Sequence, residues 1–417
     1  MIEENKILEI IEEWNQYWQR NLIDRKISKE IIKFAGKEVI DIVGVRRSGK
    51  SSILALIIKN LNIDLKEVLF INFEEPAFVN HYSLDLLDKI WDTYKTNINP
   101  ERKPYLFFDE IQLIPQWEKW VRKVRDLQLA HVFVTGSSSK LLSREFGTVL
   151  TGRHISFKIF PLSFKELLYF QGKVTLKDKI SIISQKNILK KCFKEYLYKG
   201  GFPEIVLTDN KILLKEYFED ILYKDIVLRH EIRDVNNLRK LANFCLTSLG
   251  GKISYNSLKK TLGMSLDAIK DYLGYMEEAF LLFQVPIFSY SVKSHEYAPK
   301  KVYCIDNGLR NEVSFKFSKD EGKLAENIVF LKLKRNNDEV FYWQGRGEVD
   351  FVIKNKDNSL TAINVSFSNK INERETKSLL EFKKKFRKTK ELILLTKDIE
   401  RSENDIKYIP LWKWLLD

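Results

Sequence analysis

Residues 38–51 read EVIDIVGVRRSGKS, and this stretch decides the fold. An apolar run leads into the pattern Gly-x-x-x-x-Gly-Lys-Ser, and periodic apolar residues follow from Ile53 onward. A strand, a glycine-bearing loop and a helix in this order are typical of a phosphate loop, because the loop N–H groups and the positive end of the helix face the same anion. The sequence therefore predicts an α/β fold, a parallel sheet with a phosphate loop.

The phosphate loop supplies the candidate ligands for a nucleotide. Lys50 is expected to reach the β and γ phosphates, and Ser51 is expected to hold Mg²⁺. The candidate nucleotide-binding residues are Gly44, Arg46, Arg47, Ser48, Gly49, Lys50, Ser51 and Ser52.

A second apolar strand ends in two acids, in the stretch YLFFDE at residues 105–110. The carboxyl ends of parallel strands face the ligand crevice, so both acids are expected beside the phosphate loop. Asp109 is then a metal ligand that contacts Mg²⁺, usually through water. Glu110 is the candidate catalytic base that orients and deprotonates the attacking water.

A third apolar strand, residues 131–135, is followed by Gly-Ser-Ser-Ser at residues 136–139. A polar side chain at this strand end is placed to contact the γ phosphate. Ser137 is the first candidate for this catalytic role and Thr135 the second. The alternative, of equal weight, is a serine-rich cap for a helix that starts at Lys140.

Length and composition limit the classes of protein. The 417 residues, 44% hydrophobic, indicate two to four packed domains at roughly 150 residues per domain. The sequence contains no run of about 20 apolar residues, so no membrane span is predicted. The acidic N-terminal segment, residues 1–13, lacks the basic start of a signal peptide, so a cytoplasmic location is expected. Three widely spaced cysteines support neither a zinc site nor a disulfide framework.

The net charge of +13 favours polyanionic partners through phosphate contacts and counterion release. Double-stranded DNA is therefore a candidate partner. The alternative is a generally lysine-rich composition without a nucleic-acid role.

Five motifs occur in a fixed order along the first half of the chain. They are GVRRSGKS (44–51), FFDEIQ (107–112), VTGSSS (134–139), LTGR (150–153) and FPLSFKE (160–166). Together they resemble the archaeal and bacterial AAA+-type ATPases that end in a DUF4143 domain, and the resemblance covers nearly the whole chain. It implies ATP and Mg²⁺ as cofactors, ATP hydrolysis with ADP as product, and a homo-oligomer, with a hexameric ring as one form.

The resemblance also implies roles for two further residues. Arg153 stands where such ATPases place a catalytic arginine finger, which acts on the nucleotide of a neighbouring subunit. Pro203, in the stretch KGGFP at 199–203, is a candidate nucleotide contact at the start of a lid helix. The alternatives are a solvated surface arginine and an ordinary helix start with proline in the first turn.

The segment after Asn236 has the pattern of a winged helix. A helical stripe ends at Gly250, and a short helix, a turn at Gly263 and a second helix capped by Ser265 follow. The start of the second helix would face DNA in a DNA-binding version, yet Asp267 repels phosphates there. A packing module is the alternative.

The C-terminal part resembles the PD-(D/E)xK nuclease fold, with a damaged site. Glu326 on a helix and Asp350 on a strand match two of the acids that bind Mg²⁺ in such a site. Asn364 replaces the third acid and Ser366 replaces the lysine that helps to activate water. Nuclease activity is therefore not expected. The basic run at 382–390 is either a DNA-backbone contact or a solvated helix face.

The predicted organisation has four parts. They are a phosphate-loop ATPase domain (1–170), a helical lid (171–235), a winged-helix domain (236–318) and an inactive nuclease-like α/β domain (319–417). The predicted function is Mg²⁺-dependent ATP binding and hydrolysis linked to DNA binding or processing. The alternative is an ATP-controlled oligomeric switch or scaffold.

Overall fold

A computed structural model describes residues 2–36, 38–138, 152–174, 179–291, 297–314, 320–336, 339–368 and 370–417. It divides into two compact units, residues 1–159 and 160–417. The predicted four-domain division stays a prediction. Among the described residues, no helix combines the length and the apolar character needed to cross a bilayer.

The first unit is built on five parallel strands in the spatial order β2-β3-β4-β1-β5. The strands are β1 (Val39–Gly44), β2 (Val68–Asn72), β3 (Tyr105–Asp109), β4 (His131–Gly136) and β5 (His154–Ile159). Because the strands are parallel, the loop after β1 and the last residues of β3 and β4 meet at one edge of the sheet. The predicted α/β fold with a parallel phosphate-loop sheet is confirmed.

Helices of the first unit cover this sheet. They are α1 (Glu4–Gln19), α2 (Lys26–Ile32), α3 (Lys50–Leu61), α4 (Leu84–Asn97) and α5 (Trp117–Asp126), with short 3₁₀ turns at Leu65–Glu67, Pro76–Phe78 and Ile111–Leu113. Every residue of β1 is buried, as expected for a central parallel strand rich in valine and isoleucine. Ile53 and Ile57 of α3 join Ile40 of β1 in the core, which fixes the helix behind the phosphate loop.

Strand β5 was not predicted from the sequence. It pairs with β1 from Val39↔His154 to Gly44↔Ile159 and forms an edge of the sheet. Most of its residues are only half-buried or exposed, so it lacks the apolar run that marks the central strands. A Cβ at Gly44 would lie 2.1 Å from the carbonyl oxygen of Ile159, so this close pairing requires glycine at the start of the loop.

The second unit begins with helices that lead to a winged-helix arrangement. The helices are α6 (Phe164–Gln171), α7 (Lys179–Ser184), α8 (Lys186–Lys199), α9 (Pro203–Thr208), α10 (Leu213–Asp220), a π-helical segment (Ile221–Val227), α11 (Leu228–His230), α12 (Val235–Thr247), α13 (Tyr255–Leu262) and α14 (Leu266–Glu278). Strands β6 (Lys252–Ile253), β7 (Leu282–Val285) and β8 (Lys300–Cys304) form an antiparallel sheet in the order β6-β8-β7. Gly263 ends α13 with a φ of +70°, and the Ser265 hydroxyl caps α14, as the sequence predicts.

A six-stranded sheet in the order β13-β14-β12-β11-β10-β9 completes the second unit. Its elements are α15 (Asn307–Val313), α16 (Glu321–Arg335), β9 (Val340–Gln344), β10 (Glu348–Lys354), β11 (Leu360–Ser366), α17 (Glu373–Lys385), β12 (Thr389–Thr396), β13 (Arg401–Glu403), β14 (Ile406–Pro410) and α18 (Leu411–Trp414). The order helix, three antiparallel strands, helix, strand agrees with the nuclease-like layout. The last two strands were not predicted; β13 is short and exposed, whereas β14 has an alternating burial pattern that the sequence analysis did not use.

Candidate functional site

The backbone of the phosphate loop has the turn geometry that suits an anion. Gly49, the residue before α3, has a φ of +95°, and Arg47 has a φ of +68°. Arginine rarely adopts this left-handed conformation, which costs about 1 kcal/mol or more. Turns of this kind, placed before a helix, present successive N–H groups to an anion.

Two side chains of the loop are buried at its centre. The Lys50 Nζ atom donates to the carbonyl oxygens of Gly44 at 3.2 Å and Val45 at 3.4 Å. The same atom lies 3.5 Å from Oε1 of Glu110, so the loop and the acid after β3 are in contact. The Ser48 Oγ atom is buried and has no hydrogen-bond partner among the described residues. Such an orphaned hydroxyl costs about 1–3 kcal/mol and is satisfied when a ligand brings an acceptor.

Asp109 is held at the end of β3 by polar neighbours. The Thr135 hydroxyl donates to its Oδ1 atom, and the Asn72 amide donates to its Oδ2 atom at 3.1 Å. The Ser51 hydroxyl also lies within hydrogen-bonding reach of this carboxylate. Burial, and next the negative charge of Glu110, raises the pKa of Asp109 to about 6. A hydroxyl and a carboxylate oxygen side by side are ligands that suit Mg²⁺.

Glu110 has a strained backbone and an ionised side chain. Its φ is +55°, and its N–H donates to the Thr135 hydroxyl at 3.0 Å. Burial alone raises the pKa of Glu110, but the cations Lys50 and Arg46 outweigh burial, so that the pKa lies below its ordinary value. The Gln112 amide also donates to Oε2. The side chain is thus a carboxylate that can accept a proton.

The two candidates for a γ-phosphate contact lie at the carboxyl end of β4, Thr135 within the strand and Ser137 just after it. Thr135 bridges Asp109 and Glu110, which is a positioning role within the acid pair. Ser137 is fully buried just beyond the strand. The helix predicted from Lys140 lies outside the described residues. Which of the two residues senses the γ phosphate stays a prediction.

Arg153 lies at the end of the sheet opposite the phosphate loop. Its carbonyl oxygen accepts a hydrogen bond from the N–H of Val39, the first residue of β1. At about 3.3 Å per residue, the length of β1 separates this position from the loop by roughly 15–20 Å. The guanidinium lies 3.6 Å from Asp126. Arg153 is therefore remote from the phosphate loop of its own chain.

Pro203 belongs to the second unit, where it opens α9 at the first helical turn. The glycines before it have a packing reason. A Cβ at Gly201 would lie 2.3 Å from the carbonyl oxygen of Leu162, and the Gly201 N–H donates to Asp306 Oδ2 at 2.6 Å. The motif is thus explained by close packing within the second unit, and a nucleotide contact by Pro203 stays a prediction.

Three residues of the N-terminal segment, none of them predicted, approach the loop. The Arg20 guanidinium stacks 4.0 Å above the ring of Tyr17 and donates to Ser52 Oγ at 3.2 Å. Buried Arg25 donates to the carbonyl oxygen of Ser48 at 2.9 Å. Isolated arginines far from a motif give no sequence signal, so only the packing of α1 and α2 reveals them.

Arg20 has no carboxylate partner among the described residues. Its guanidinium lies at the first turn of α3, where the helix dipole is positive. A cation in this position is unfavourable by itself and becomes favourable when an anion binds. The observation supports a negatively charged ligand at the loop.

The two acids of the nuclease-like part come together in the second unit, but around a lysine. The Nζ atom of Lys301 on β8 lies 2.9 Å from Glu326 Oε1 and 2.9 Å from Asp350 Oδ1. It also lies 2.6 Å from Glu348 Oε1, and the Tyr303 hydroxyl donates to Glu326 at 2.6 Å. Neither Lys301 nor Glu348 was predicted. The described residues contain no group of acids, histidines and cysteines suited to a metal ion.

The replacement residues of this centre have structural partners. The side-chain oxygen of Asn364 accepts from the N–H of Asp350 at 2.9 Å, and its amide nitrogen donates to Glu375 and Ser378. Ser366 is buried at the end of β11. The amide therefore braces β10 and α17, and the residues do not fit a nuclease metal ion.

The candidate DNA surfaces are mixed in charge. At the start of α14, Asp267 and Asp271 are exposed beside Lys270. In the basic run, Lys383 and Lys390 pair with Asp405 and Asp357. Further basic residues of the run are exposed, namely Lys384, Lys385, Arg387 and Lys388.

Comparison with known families agrees with the site. A model described as an AAA domain matches residues 36–168, and the domains of unknown function DUF8612 and DUF4143 match residues 190–320 and 321–414. The fold and the AAA match define an AAA-type, nucleotide-binding ATPase. The winged helix falls within the DUF8612 match.

Two relatives extend over nearly the whole chain. An uncharacterised protein of Methanocaldococcus jannaschii is 35% identical, over 94% of this chain and 91% of the relative. An uncharacterised protein of Haemophilus influenzae is 30% identical, over 93% of this chain and 97% of the relative. The chain belongs to the family of AAA-type ATPases with a C-terminal DUF4143 domain, and the resemblance seen in the sequence is confirmed.

Two solved structures are similar to parts of the chain at low TM-scores. PCH-2 of C. elegans has a TM-score of 0.32 at 13% identity, over 52% of this chain and 66% of that chain. AMPPCP-bound DnaA from Aquifex aeolicus has a TM-score of 0.26 at 13% identity, over 61% of this chain and 86% of that chain.

Proposed function

We propose that the protein binds ATP together with Mg²⁺ and hydrolyses it. The observation that carries the proposal is the meeting of the buried Lys50 ammonium with the acids Asp109 and Glu110 at one edge of the sheet. The orphaned Ser48 hydroxyl and the left-handed residues of the loop support a phosphate ligand there.

Each residue has a role that follows from its chemistry. Lys50 and the loop N–H groups bind the phosphates, while Ser51 and Asp109 hold Mg²⁺. The metal, when bound, neutralises negative charge on the phosphate oxygens. Glu110 orients a water molecule and accepts its proton, and Thr135 keeps both acids in position.

Arg20 extends this assignment. Its guanidinium is exposed, reaches Ser52 at the first turn of α3 and lies against the positive end of the helix. A phosphate oxygen would supply the missing negative charge through a charge-assisted hydrogen bond. We include Arg20 among the residues that bind the phosphates.

Arg153 supports an assembled form of the protein. A residue at the opposite end of the sheet from the loop is out of reach of its own nucleotide, so a finger role requires a neighbouring subunit. The proposal is a homo-oligomer, with a hexameric ring as one form. Mixing Arg153→Ala with Glu110→Gln subunits tests this proposal. We expect each variant to be inactive alone. Mixed assemblies should regain part of the ATP hydrolysis if the arginine acts between subunits. Mixtures without any regained activity would argue against a finger.

Hydrolysis linked to duplex DNA is the finer proposal. It is supported by the net charge of +13 and by the exposed basic residues around the end of α17. The acidic start of α14 favours the alternative, an ATP-controlled switch or scaffold without DNA. We propose the cytoplasm as the location, supported by three cysteines that are all free thiols.

One experiment tests the proposal and separates the alternatives. ATP hydrolysis is measured against protein concentration, with and without Mg²⁺ and duplex DNA. A Mg²⁺-dependent rate that rises with DNA and falls with salt supports the DNA link. A rate indifferent to DNA, with an oligomer size that changes with nucleotide, supports the switch. The absence of hydrolysis under all these conditions would contradict the ATPase assignment.

A further inference from the structure

The Lys301 ammonium has a complete set of partners. A lysine ammonium has three donor hydrogens, and three carboxylates accept from it at 2.6–2.9 Å, those of Glu326, Glu348 and Asp350. These distances are typical of charge-assisted hydrogen bonds. The Lys301 side chain is only 2% exposed, so water has little access to the ammonium.

The charges of the cluster depend on one another. Burial opposes the charge of Lys301, but Asp350, Tyr303, Glu326 and Glu348 outweigh burial and raise the pKa of Lys301 well above its ordinary value. Burial, and next Asp350, raises the pKa of Glu326 to about 7. Three acids close together in a buried site need a cation, and here the chain itself provides it.

The lysine comes from a different sheet than the acids. Lys301 lies on β8, between β6 and β7, while Glu348 and Asp350 lie on β10 and Glu326 lies on α16. Lys252 on β6 also pairs with Glu348, at 2.5 Å. The ion cluster therefore joins the winged-helix sheet to the nuclease-like sheet within the second unit.

We propose that the Lys301 ammonium takes the place of the metal ion in this nuclease-like centre. The three carboxylates are kept as a structural anchor for the winged-helix sheet, and the centre neither binds a divalent metal nor cleaves DNA. A metal ion would need carboxylate oxygens at about 2.0–2.6 Å, and the ammonium occupies the point where these oxygens converge. The inference is independent of the ATPase proposal, because it concerns only residues of the second unit.

The test removes the Lys301 ammonium and offers Mn²⁺ in its place, in protein without nucleotide. Lys301→Met removes the charge and keeps the length of the side chain. We expect its melting temperature to fall by about 10 °C, since the carboxylates lose their buried partner. Lys252→Met is the matched control, because this partly exposed lysine also binds Glu348, and its melting temperature should fall by about 2 °C or less.

Millimolar Mn²⁺ then probes the vacated position. We expect Mn²⁺ to restore several degrees to Lys301→Met, and the double variant Lys301→Met/Asp350→Asn to lose this response. A Lys301→Met variant no less stable than the Lys252→Met control would overturn the proposal. A Lys301→Met variant that folds but whose melting temperature does not rise with Mn²⁺ would overturn it as well.

The wild-type protein provides a second measurement, which decides the matter if Lys301→Met does not fold. Electron paramagnetic resonance counts Mn²⁺ bound to nucleotide-free wild type and to Asp350→Asn. Equal counts, together with intact duplex DNA after incubation with Mg²⁺, are the expected result. A bound Mn²⁺ or a DNA cleavage that disappears in Asp350→Asn would refute the proposal.

Discussion

The phosphate loop and the nuclease-like centre each bring a buried lysine to acids, yet they differ in how far the lysine is satisfied. Lys50 lies 3.5 Å from one carboxylate and otherwise donates to backbone carbonyls, next to an unpartnered Ser48 hydroxyl. Lys301 is bound by three carboxylates at 2.6–2.9 Å. Buried polar groups without hydrogen-bond partners and a strained backbone indicate a ligand-binding site. A cluster in which every polar group has a partner indicates a structural role.

The strongest test of this contrast is Glu110→Gln. The amide cannot accept a proton from water, so we expect hydrolysis to fall by about 1000-fold while ATP affinity changes by about 2-fold or less. Steady-state rates and equilibrium binding measure the two effects. The matched control is Glu348→Gln in the second cluster, which should leave ATP hydrolysis unchanged. A Glu110→Gln variant that hydrolyses ATP at the wild-type rate would exclude this residue as the base.

Lys50→Ala should act on binding. Loss of the ammonium removes the charge that faces the β and γ phosphates, and we expect the affinity for ATP to fall by about 100-fold. Titration with a fluorescent ATP analogue measures this change. Lys252→Ala, which removes a lysine near the second cluster, is the control. Unchanged ATP binding by Lys50→Ala would reject the phosphate-loop assignment.

Thr135→Val tests whether Thr135 holds the acids Asp109 and Glu110 in position. The valine keeps the shape of threonine but frees the Asp109 carboxylate and the N–H of Glu110, so we expect hydrolysis to fall by about 10-fold, equal to ~1.4 kcal/mol. The Mg²⁺ concentration needed for half-maximal rate should rise as well. A lower rate without any change in Mg²⁺ dependence would instead favour a direct sensor role for Thr135.

The sequence predicted those parts of the molecule that carry a local pattern. The apolar strand before Gly44 and the acids after Phe108 could be recognised because a parallel sheet brings such strand ends together. Edge strand β5 could not, since its partly exposed residues lack an apolar run, and the short strand β13 could not, since all three of its residues are exposed. The role of Lys301 could not be predicted, because its partners Glu326 and Asp350 are distant in sequence and only the fold brings them together.

The smallest expected effect concerns Arg20, a residue that no sequence pattern indicates. Arg20→Met keeps the stacking on Tyr17 but removes the charge, and we expect the affinity for ATP to fall by about 5-fold, with a smaller loss for AMP. Arg102→Met, which removes an exposed arginine paired with Glu67, is the control. Equal losses for ATP and AMP would argue against contact with the β or γ phosphate.

The most direct measurement is a crystal structure of the wild-type protein grown with a non-hydrolysable ATP analogue and Mn²⁺, with anomalous scattering used to find the metal. We expect one manganese peak beside Ser51 and Asp109, with the triphosphate in the loop, and no peak between Glu326 and Asp350. A peak at the second position, or an empty loop at saturating nucleotide, would contradict the account.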